Sequence, residues 1–206
     1  MVNEIAWSMG MAMLMQCYSV RGLDVVAGMN ISSTISNLFN VIFIAMGSAI
    51  SIVVGQKLGA GELEEAKDAD TKMIVFTVIS CVVMGGLLFL FAPLFPMLYN
   101  TTAQVKALAT AFMRVAAACM PIFGFLHATY FTLRTGGKTV ITFLFDSVFM
   151  WCVSIPMAFV LSRYTPVPIV PLYLICQLVD LIKCVIGFML VKKGVWINNL
   201  VGTTKQ

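Results

Sequence analysis

The segment that decides how this chain folds is Val54-Gly55-Gln56-Lys57-Leu58-Gly59-Ala60-Gly61-Glu62-Leu63-Glu64-Glu65-Ala66-Lys67. Before it, no ionisable side chain occurs between Asp24 and Lys57. That uncharged run is longer than the ~20 apolar residues with which an α-helix crosses ~30 Å of hydrocarbon. Glycines end a helix at low steric cost, and glutamates favour the start of the next one. The segment therefore predicts a membrane helix, a tight aqueous turn and a charged helix start.

The composition of the whole chain also indicates a membrane protein. Its 206 residues are 60% hydrophobic and only 11% charged, with a mean hydropathy of +0.97. Soluble domains carry about a quarter charged residues, so this chain cannot cover itself with solvated groups. The net charge of +4 is too small to indicate nucleic-acid binding. The six cysteines lie in apolar runs without C-x-x-C spacing, which favours core positions over metal ligands or disulfides.

The hydrophobic pattern predicts an all-α membrane protein with a bundle of six transmembrane helices. We expect them at about residues 5–20, 29–56, 73–98, 104–133, 140–161 and 169–191. With an even number of spans, eight lysines and arginines fall in the second loop, the fourth loop and the C-terminal tail, against three on the other side. This asymmetry predicts a multi-pass protein of the cell membrane with both termini in the cytoplasm.

Several polar residues fall within the predicted helices. Those of the second helix mostly recur at three- and four-residue steps and form one stripe; they are Asn30, Ser33, Asn37, Asn40, Ser48 and Ser51. Such a stripe either makes helix–helix contacts through small and hydrogen-bonding groups or forms the wall of a water-filled cavity. Under the second interpretation, Asn37, Asn40 and Ser48 line the cavity, together with Arg114 of the fourth helix.

Three charged residues in the last two helices form a predicted cluster: Asp146, Asp180 and Lys183. Charge inside hydrocarbon costs ~3 kcal/mol or more unless it is paired or hydrated. Asp180 and Lys183 are three residues apart and can pair on one helix face. Asp146 lies ~10 Å and Lys183 ~12 Å from the cytoplasmic ends of neighbouring antiparallel helices, so we also expect these two to meet. The cluster is either a structural ion-pair group or part of a path for protons or substrate.

The chain resembles the multidrug and toxic compound extrusion (MATE) transporters of the MOP superfamily. The 54–67 segment is similar to the loop between the second and third helices of one six-helix lobe in that family, which makes Gly55, Gln56, Gly59 and Gly61 a cytoplasmic loop motif. The opening NEIAWSMG (3–10) resembles the start of the family's seventh helix. The run from Thr132 to Ser162 is similar to its tenth-to-eleventh helix junction, and DLIKCVIGFMLVKKGVWINNL (180–200) is similar to its twelfth helix and tail.

The resemblance implies that residues 1–206 are the C-terminal lobe of a two-lobe transporter. Because the first helix begins almost at Met1, we expect an N-terminal lobe to be missing. The family implies a cation-coupled antiporter that uses H⁺ or Na⁺ to export small organic cations, with the lipid bilayer and the other lobe as partners. It implies no enzymatic activity, no resident metal and no cofactor beyond the coupling ion.

The resemblance also suggests residues for ion coupling. Glu4 appears at the position of an acidic residue on the seventh helix that several family members use for cation binding; an acid there is also favoured simply by the helix dipole. One branch has an aspartate on the tenth helix, whereas the matching region here, residues 121–125, has no acid. His127 is the titratable group near the middle of that helix and is a second coupling candidate, unless it only hydrogen-bonds to a neighbouring helix.

Two other functions are compatible with the sequence. One is a lipid-linked oligosaccharide flippase or polysaccharide exporter of the same superfamily, which needs more basic residues facing the cavity than Arg114 and Lys183. The other is a non-transporting remnant of a split or truncated gene.

Overall fold

Six long helices make up the described part of the chain. The computed structural model describes residues 2–197. The helices are α1 Val2–Ser19, α2 Leu23–Ala60, α3 Leu63–Phe91, α4 Ala103–Thr135, α5 Thr139–Tyr164 and α6 Ile169–Lys192. A short 3₁₀ helix, Phe95–Leu98, follows α3.

The all-α membrane fold predicted from composition is confirmed. Five of the six helices, α2 to α6, are long and apolar enough to cross a membrane, whereas α1 is not among them. Many large apolar side chains on α2, α3 and α6 are exposed, including Leu38, Leu90 and Phe188. Lipid is the solvent that suits such a surface, so the chain is a multi-pass membrane protein.

The boundaries of two helices differ from the prediction. Helix α2 continues to Ala60 instead of ending near residue 56, and α3 begins at Leu63 instead of residue 73. The first turns of α3 carry the exposed ion pairs Lys67–Glu64 and Lys72–Asp68, which suit water rather than hydrocarbon. Hydropathy locates the part of a helix that lies in the membrane, so it misses a helical extension into the aqueous phase. At its other end α3 stops at Phe91, because the prolines that follow cannot continue it.

The turn between α2 and α3 forms at Gly61, but Gly55, Gln56 and Gly59 of the predicted loop motif lie inside α2, which continues to Ala60. Gly61 adopts a left-handed conformation with φ of 79°. Its N–H donates to the carbonyl of Leu58 at 3.2 Å, and the N–H of Glu62 donates to the carbonyl of Lys57 at 3.0 Å. These two bonds satisfy carbonyls at the end of α2. Of the glycines in the motif, only Gly61 needs this conformation, since Gly55 and Gly59 lie inside the helix.

Helix α4 is the centre of the bundle, and small residues bring α2 and α3 close to it. A Cβ atom on Gly85 of α3 would lie 2.6 Å from the carbonyl oxygen of Ala117. A Cβ on Gly28 of α2 would lie 3.3 Å from the backbone nitrogen of Ala109. Such close backbone approach is how membrane helices gain packing energy without a hydrophobic driving force. Helices α2, α3 and α4 therefore form one tightly packed side of the molecule.

After α6 the chain folds back onto the end of that three-helix unit. Trp196 is almost completely buried, at 1% exposure, among Ile50, Leu58 and Leu133. Its indole N–H donates to the carbonyl of Val191 at 3.3 Å. The segment after α6 thus packs against α2 and α4. The cavity lies between the three-helix unit and helices α1, α5 and α6.

Candidate functional site

All six helices contribute side chains to one large cavity of about 900 Å³. Its wall is built from three kinds of side chain. The first is apolar and rich in aromatic rings and methionines, the second is a polar stripe on α2, and the third is a set of charged groups on α1, α4, α5 and α6.

One part of the polar stripe of α2 lines the cavity, and another part makes a helix–helix contact. The cavity is lined by Asn30, Ser33, Asn37 and Asn40. The side-chain amide of Asn40 donates to the side-chain oxygen of Asn37 at 3.4 Å. Further along, Ser51 accepts a hydrogen bond from Thr135 of α4 at 3.2 Å. The first part of the stripe is therefore a cavity wall, and the last part is a helix–helix contact.

The prediction that Ser48 lines the cavity is wrong. Ser48 is not part of the wall, although it follows the same face of α2. The ring of Phe131 packs where a Cβ on Gly47 would lie, within 2.3 Å of it. The α2 wall of the cavity therefore reaches Ile44 but does not include Ser48.

The prediction that Arg114 lines the cavity is also wrong. The α4 side chains in the wall include Phe112, Ala116 and Met120. Arg114 is two residues from the first two of these, which turns it ~200° away from them around the helix. Its guanidinium instead lies 5.5 Å from the ring centre of Phe89 on α3, in a cation–π contact.

The apolar wall combines flexible thioethers with flat rings. Along α1 it includes Trp7, Met11 and Met15, and across the cavity it includes Phe43 of α2 and Tyr173 of α6. Methionine adapts to ligands of different shape, and aromatic faces attract cations. This wall suits a bulky ligand that carries both apolar surface and positive charge.

Glu4 lies at the rim of the cavity. Its carboxylate is 3.8 Å from the Arg134 guanidinium, and 61% of its side chain is exposed. His127 also lines the cavity, with its ring stacked on Phe43 at a centroid distance of 5.2 Å. The His127 Nδ1 lies 3.1 Å from the carbonyl oxygen of Phe123 on its own helix, so its hydrogen bond is local rather than to a neighbouring helix. Both coupling candidates thus face the same space.

Asp180 and Lys183 make the close pair expected from their spacing. The Lys183 ammonium lies 3.0 Å from the Asp180 carboxylate, and both side chains are largely buried, at 10% and 17% exposure. The same ammonium lies 4.8 Å above the ring of Phe149 on α5. This contact could be predicted from the sequence because the two residues are three positions apart on one helix.

The expected ion pair between Asp146 and Lys183 is absent from the described part of the chain, and that prediction is corrected. Asp146 shares the cavity with Lys183, but its carboxylate accepts a hydrogen bond from the Asn3 amide at 3.2 Å. Depth along a helix says how far two groups lie from the membrane surface. It does not say which way each helix is turned about its axis, and here that rotation decides the partner.

Sequence reasoning missed the residues around Asp146. The Asn3 amide nitrogen also donates to the Tyr130 hydroxyl at 3.1 Å. Ser147 donates to the Asn3 side-chain oxygen at 2.5 Å and to its backbone oxygen at 3.2 Å. These partners are separated by more than 120 residues, so no local spacing pattern could have indicated them.

The backbone of α5 changes form at the same place. Residues Leu144–Val148 and Met150–Ser154 are π-helical, with a wider turn than an α-helix. Such turns are rare and occur often at functional sites. Asp146 and Ser147 lie in the first of these segments, and the indole N–H of Trp151 in the second donates to the carbonyl of Ala6 at 3.0 Å. Both π-helical segments thus contact α1.

A second buried acid outside the cavity was also missed. Asp70 of α3 is fully buried, and one of its oxygens accepts a hydrogen bond from the Thr132 hydroxyl at 2.6 Å. Its other oxygen has no hydrogen-bond partner among the described residues. The predicted third span begins at about residue 73, so it does not include Asp70, whereas α3 begins at Leu63.

The family model MatE matches residues 1–160. Among curated proteins, the chain is 23% identical over 168 residues to "Probable multidrug resistance protein YoeA" of Bacillus subtilis (strain 168), a match that covers 82% of this chain and 36% of that protein. It is 26% identical over 150 residues to "Probable multidrug resistance protein NorM" of Pasteurella multocida (strain Pm70), which covers 70% of this chain and 31% of that protein.

The chain spans about a third of the length of these curated relatives. The family match extends over more than three quarters of the chain, from α1 through most of α5. Membrane-spanning helices, a large amphipathic cavity and this match agree with one another: the chain belongs to the MatE family of transporters.

Proposed function

We propose that this chain is the C-terminal lobe of a cation-coupled antiporter that exports amphipathic organic cations. The observation that carries the proposal is the cavity of about 900 Å³ to which every helix contributes. Its volume is within the range of sites that enclose drug-sized molecules. The names of both relatives, which describe probable multidrug resistance proteins, support the same function.

The charges of the wall favour a cationic substrate. Three acids, Glu4, Asp146 and Asp180, face the cavity, against two bases, Arg134 and Lys183. Each base already lies within 4.0 Å of one of those acids. The remaining potential attracts positive charge, and the aromatic rings add to that attraction.

The same balance opposes the oligosaccharide flippase alternative. A pyrophosphate group needs basic side chains that are free to bind it. Arg134 and Lys183, the bases of the described wall, are each paired with a carboxylate.

The coupling ion is proposed to be H⁺ or Na⁺, exchanged at the acids of this wall, with His127 as the alternative site. The missing partner is proposed to be an N-terminal lobe, because alternating access generally moves two repeats against each other around a site near the bilayer midplane. On this proposal both termini lie in the cytoplasm. Cysteines introduced at Glu64 and Lys138 should react with an impermeant thiol reagent from the cytoplasmic side, and labelling from outside intact cells would contradict that orientation.

The test of the function is binding of ethidium, a flat organic cation, to the purified chain in lipid nanodiscs. We expect saturable binding that weakens when the coupling ion is added, either as acid or as Na⁺, because that ion competes for the same carboxylates. Inorganic pyrophosphate should not compete. Absence of ethidium binding would overturn the proposal, and displacement by pyrophosphate would favour the flippase.

Transport needs a separate assay. In proteoliposomes the isolated chain should bind ethidium without ion-driven efflux, since one lobe supplies one wall of the pathway. Efflux by the isolated chain would contradict the one-lobe proposal. Absence of both binding and efflux would favour the non-transporting remnant.

A further inference from the structure

The three carboxylates of the cavity differ in what neutralises them. Glu4 lies 3.8 Å from Arg134, and Asp180 lies 3.0 Å from Lys183. Asp146 has no basic side chain within ion-pair distance among residues 2–197. A carboxylate that lines a cavity without a paired cation is the group best placed to bind a cation that enters.

Asp146 is nevertheless held in one position. The Asn3 amide nitrogen donates to it at 3.2 Å and to the Tyr130 hydroxyl at 3.1 Å. The Asn3 side-chain oxygen accepts from Ser147 at 2.5 Å. Every polar atom of the Asn3 side chain thus has a partner, so the amide orientation is determined by its surroundings. This network joins α1, α4 and α5 at one point of the wall.

The Asp146–Asn3 network lies in the first π-helical segment of α5. Within Leu144–Val148, Asp146 lines the cavity while the next residue, Ser147, is buried and reaches back to Asn3. Asp146 is therefore accessible from the cavity, whereas Ser147 packs against α1. The π-helical segment is the kind of local deviation from α-helical geometry that is found at functional sites.

We propose that Asp146 is the carboxylate at which a proton and the organic cation exchange, and that Asn3 is its positioning residue. This rests on the proposed function and names the residue through which it acts. When the organic cation binds, the Asp146 carboxyl releases its proton to the water of the cavity and becomes the counter-charge of the ligand. When the proton returns, the carboxyl is neutral and the organic cation leaves.

The surroundings favour a proton over a metal ion at this carboxylate. The Asn3 amide nitrogen donates to Asp146 as well as to Tyr130, and its oxygen is directed to Ser147. Donor hydrogens next to the carboxylate oppose a metal ion, which needs several oxygen ligands there. Among the described residues no group of three or more histidine, cysteine, aspartate or glutamate side chains could hold a metal.

Other charged and titratable groups face Asp146 across the cavity. They are Glu4 on α1, His127, Tyr130 and Arg134 on α4, and Asp180 and Lys183 on α6. Of these, Glu4 is paired with Arg134, and Asp180 is paired with Lys183. Asp146 and His127 belong to neither pair, so the test must separate them.

The test is proton release on ethidium binding, followed with a pH indicator in weakly buffered nanodiscs. At acidic pH the wild-type chain should release about one proton for each ethidium bound, because ligand binding and proton loss are linked. Asp146→Asn should bind ethidium about tenfold or more weakly and release no proton, since it lacks the charged partner. The matched control is Asp68→Asn, an exposed acid on α3 outside the cavity, which should behave as wild type. His127→Gln should keep the proton release.

Asn3→Ala tests whether Asn3 positions Asp146. The readout is the pH midpoint of ethidium binding, which a purely structural role of Asn3 would not change. Without the amide donor the ionised carboxylate of Asp146 is less favoured, so the pH midpoint of ethidium binding should move to higher pH. If Asp146→Asn is not recovered folded, Asp146→Glu decides. It should keep the proton release with a displaced pH midpoint, and an unchanged midpoint would contradict the assignment.

The outcomes separate this inference from the proposed function. Ethidium binding by the wild-type chain with unchanged affinity and proton release in Asp146→Asn would overturn the role of Asp146 and leave the function standing. Loss of proton release in His127→Gln alone would transfer the exchange to His127 and also overturn this inference. Absence of ethidium binding by the wild-type chain would overturn the function itself.

Discussion

Two acidic residues in the same cavity are stabilised in different ways. Asp180 is paired with Lys183 at 3.0 Å on its own helix, and both side chains are largely buried. Asp146 is half-buried and depends on a neutral amide, Asn3, from a helix 143 positions away in the sequence. The first acid has a basic partner, whereas the second has a neutral donor, and we propose that its charge serves the ligand.

The difference shows how a membrane protein can carry several charges while making only some of them available. A buried ion pair is costly to form, but breaking it is costlier still, because one unpaired charge stays in a medium of low dielectric constant. A carboxylate that is held by a neutral donor has no ion pair to break when it gains or loses a proton. The four predictions that follow test this contrast, beginning with the largest expected effect.

Breaking the Asp180–Lys183 pair should give the largest loss of stability. Lys183→Met leaves Asp180 charged and buried, which typically costs ~3–5 kcal/mol. Thermal unfolding of the detergent-solubilised chain, followed by size-exclusion chromatography, measures the loss. The double variant Asp180→Asn/Lys183→Met should recover much of it, since neither charge remains.

The matched control for this cycle is the exposed pair Asp68–Lys72, where the same two changes should have little effect. Equal losses in the buried and exposed pairs would contradict the contrast between them.

A smaller loss is expected at Asp70, the buried acid outside the cavity. Thr132→Val removes the hydroxyl that donates to Asp70 at 2.6 Å and leaves that carboxyl with no side-chain donor in the described structure. Leaving a buried polar group unsatisfied costs about 1–3 kcal/mol. Thr71→Val, which changes an exposed threonine next to Asp70 in sequence, is the control. An unfolding temperature unchanged by Thr132→Val would show that this bond adds no stability.

Removing the Asn3 amide should destabilise the fold less than either change in the buried acids. Asn3→Ala deletes the hydrogen bonds to Asp146 and Tyr130, but water in the cavity can replace the lost partners. We expect about 1 kcal/mol, a typical net value for a hydrogen bond. Denaturant unfolding would measure it, with Asn30→Ala on the same cavity wall as control. A loss as large as that of Lys183→Met would mean that Asn3 is mainly a structural residue.

The smallest effect is expected at the aqueous turn between α2 and α3. Lys57 lies 2.5 Å from Glu65, but the Glu65 side chain is 66% exposed. Glu65→Gln should therefore lower the unfolding temperature only slightly at low salt and not measurably at high salt, since exposed charges are screened. A loss that persists at high salt would show that this turn depends on the ion pair rather than on Gly61.

Features that depend on neighbouring residues were predictable from sequence. The glycine turn at Gly61, the Asp180–Lys183 contact and the cavity-facing Asn37 and Asn40 all follow from residues within one or two helical turns of each other. Errors began where a feature depended on helix rotation or on the extent of an aqueous helical segment. Arg114 faces Phe89, and Asp70 lies inside a helix that begins ten residues before the predicted start.

The sequence by itself determined the solvent of this protein, its helical class and the position of its main turn, because hydropathy, helical periodicity and glycine conformation are local properties of the chain. Only the tertiary structure decided which buried charge is paired and which is free. Asn3 meets Asp146 because α1 and α5 pack side by side and α5 adopts a π-helical turn where they touch. That contact depends on how every helix is rotated in the bundle, and such rotations are set by packing between segments far apart in the sequence.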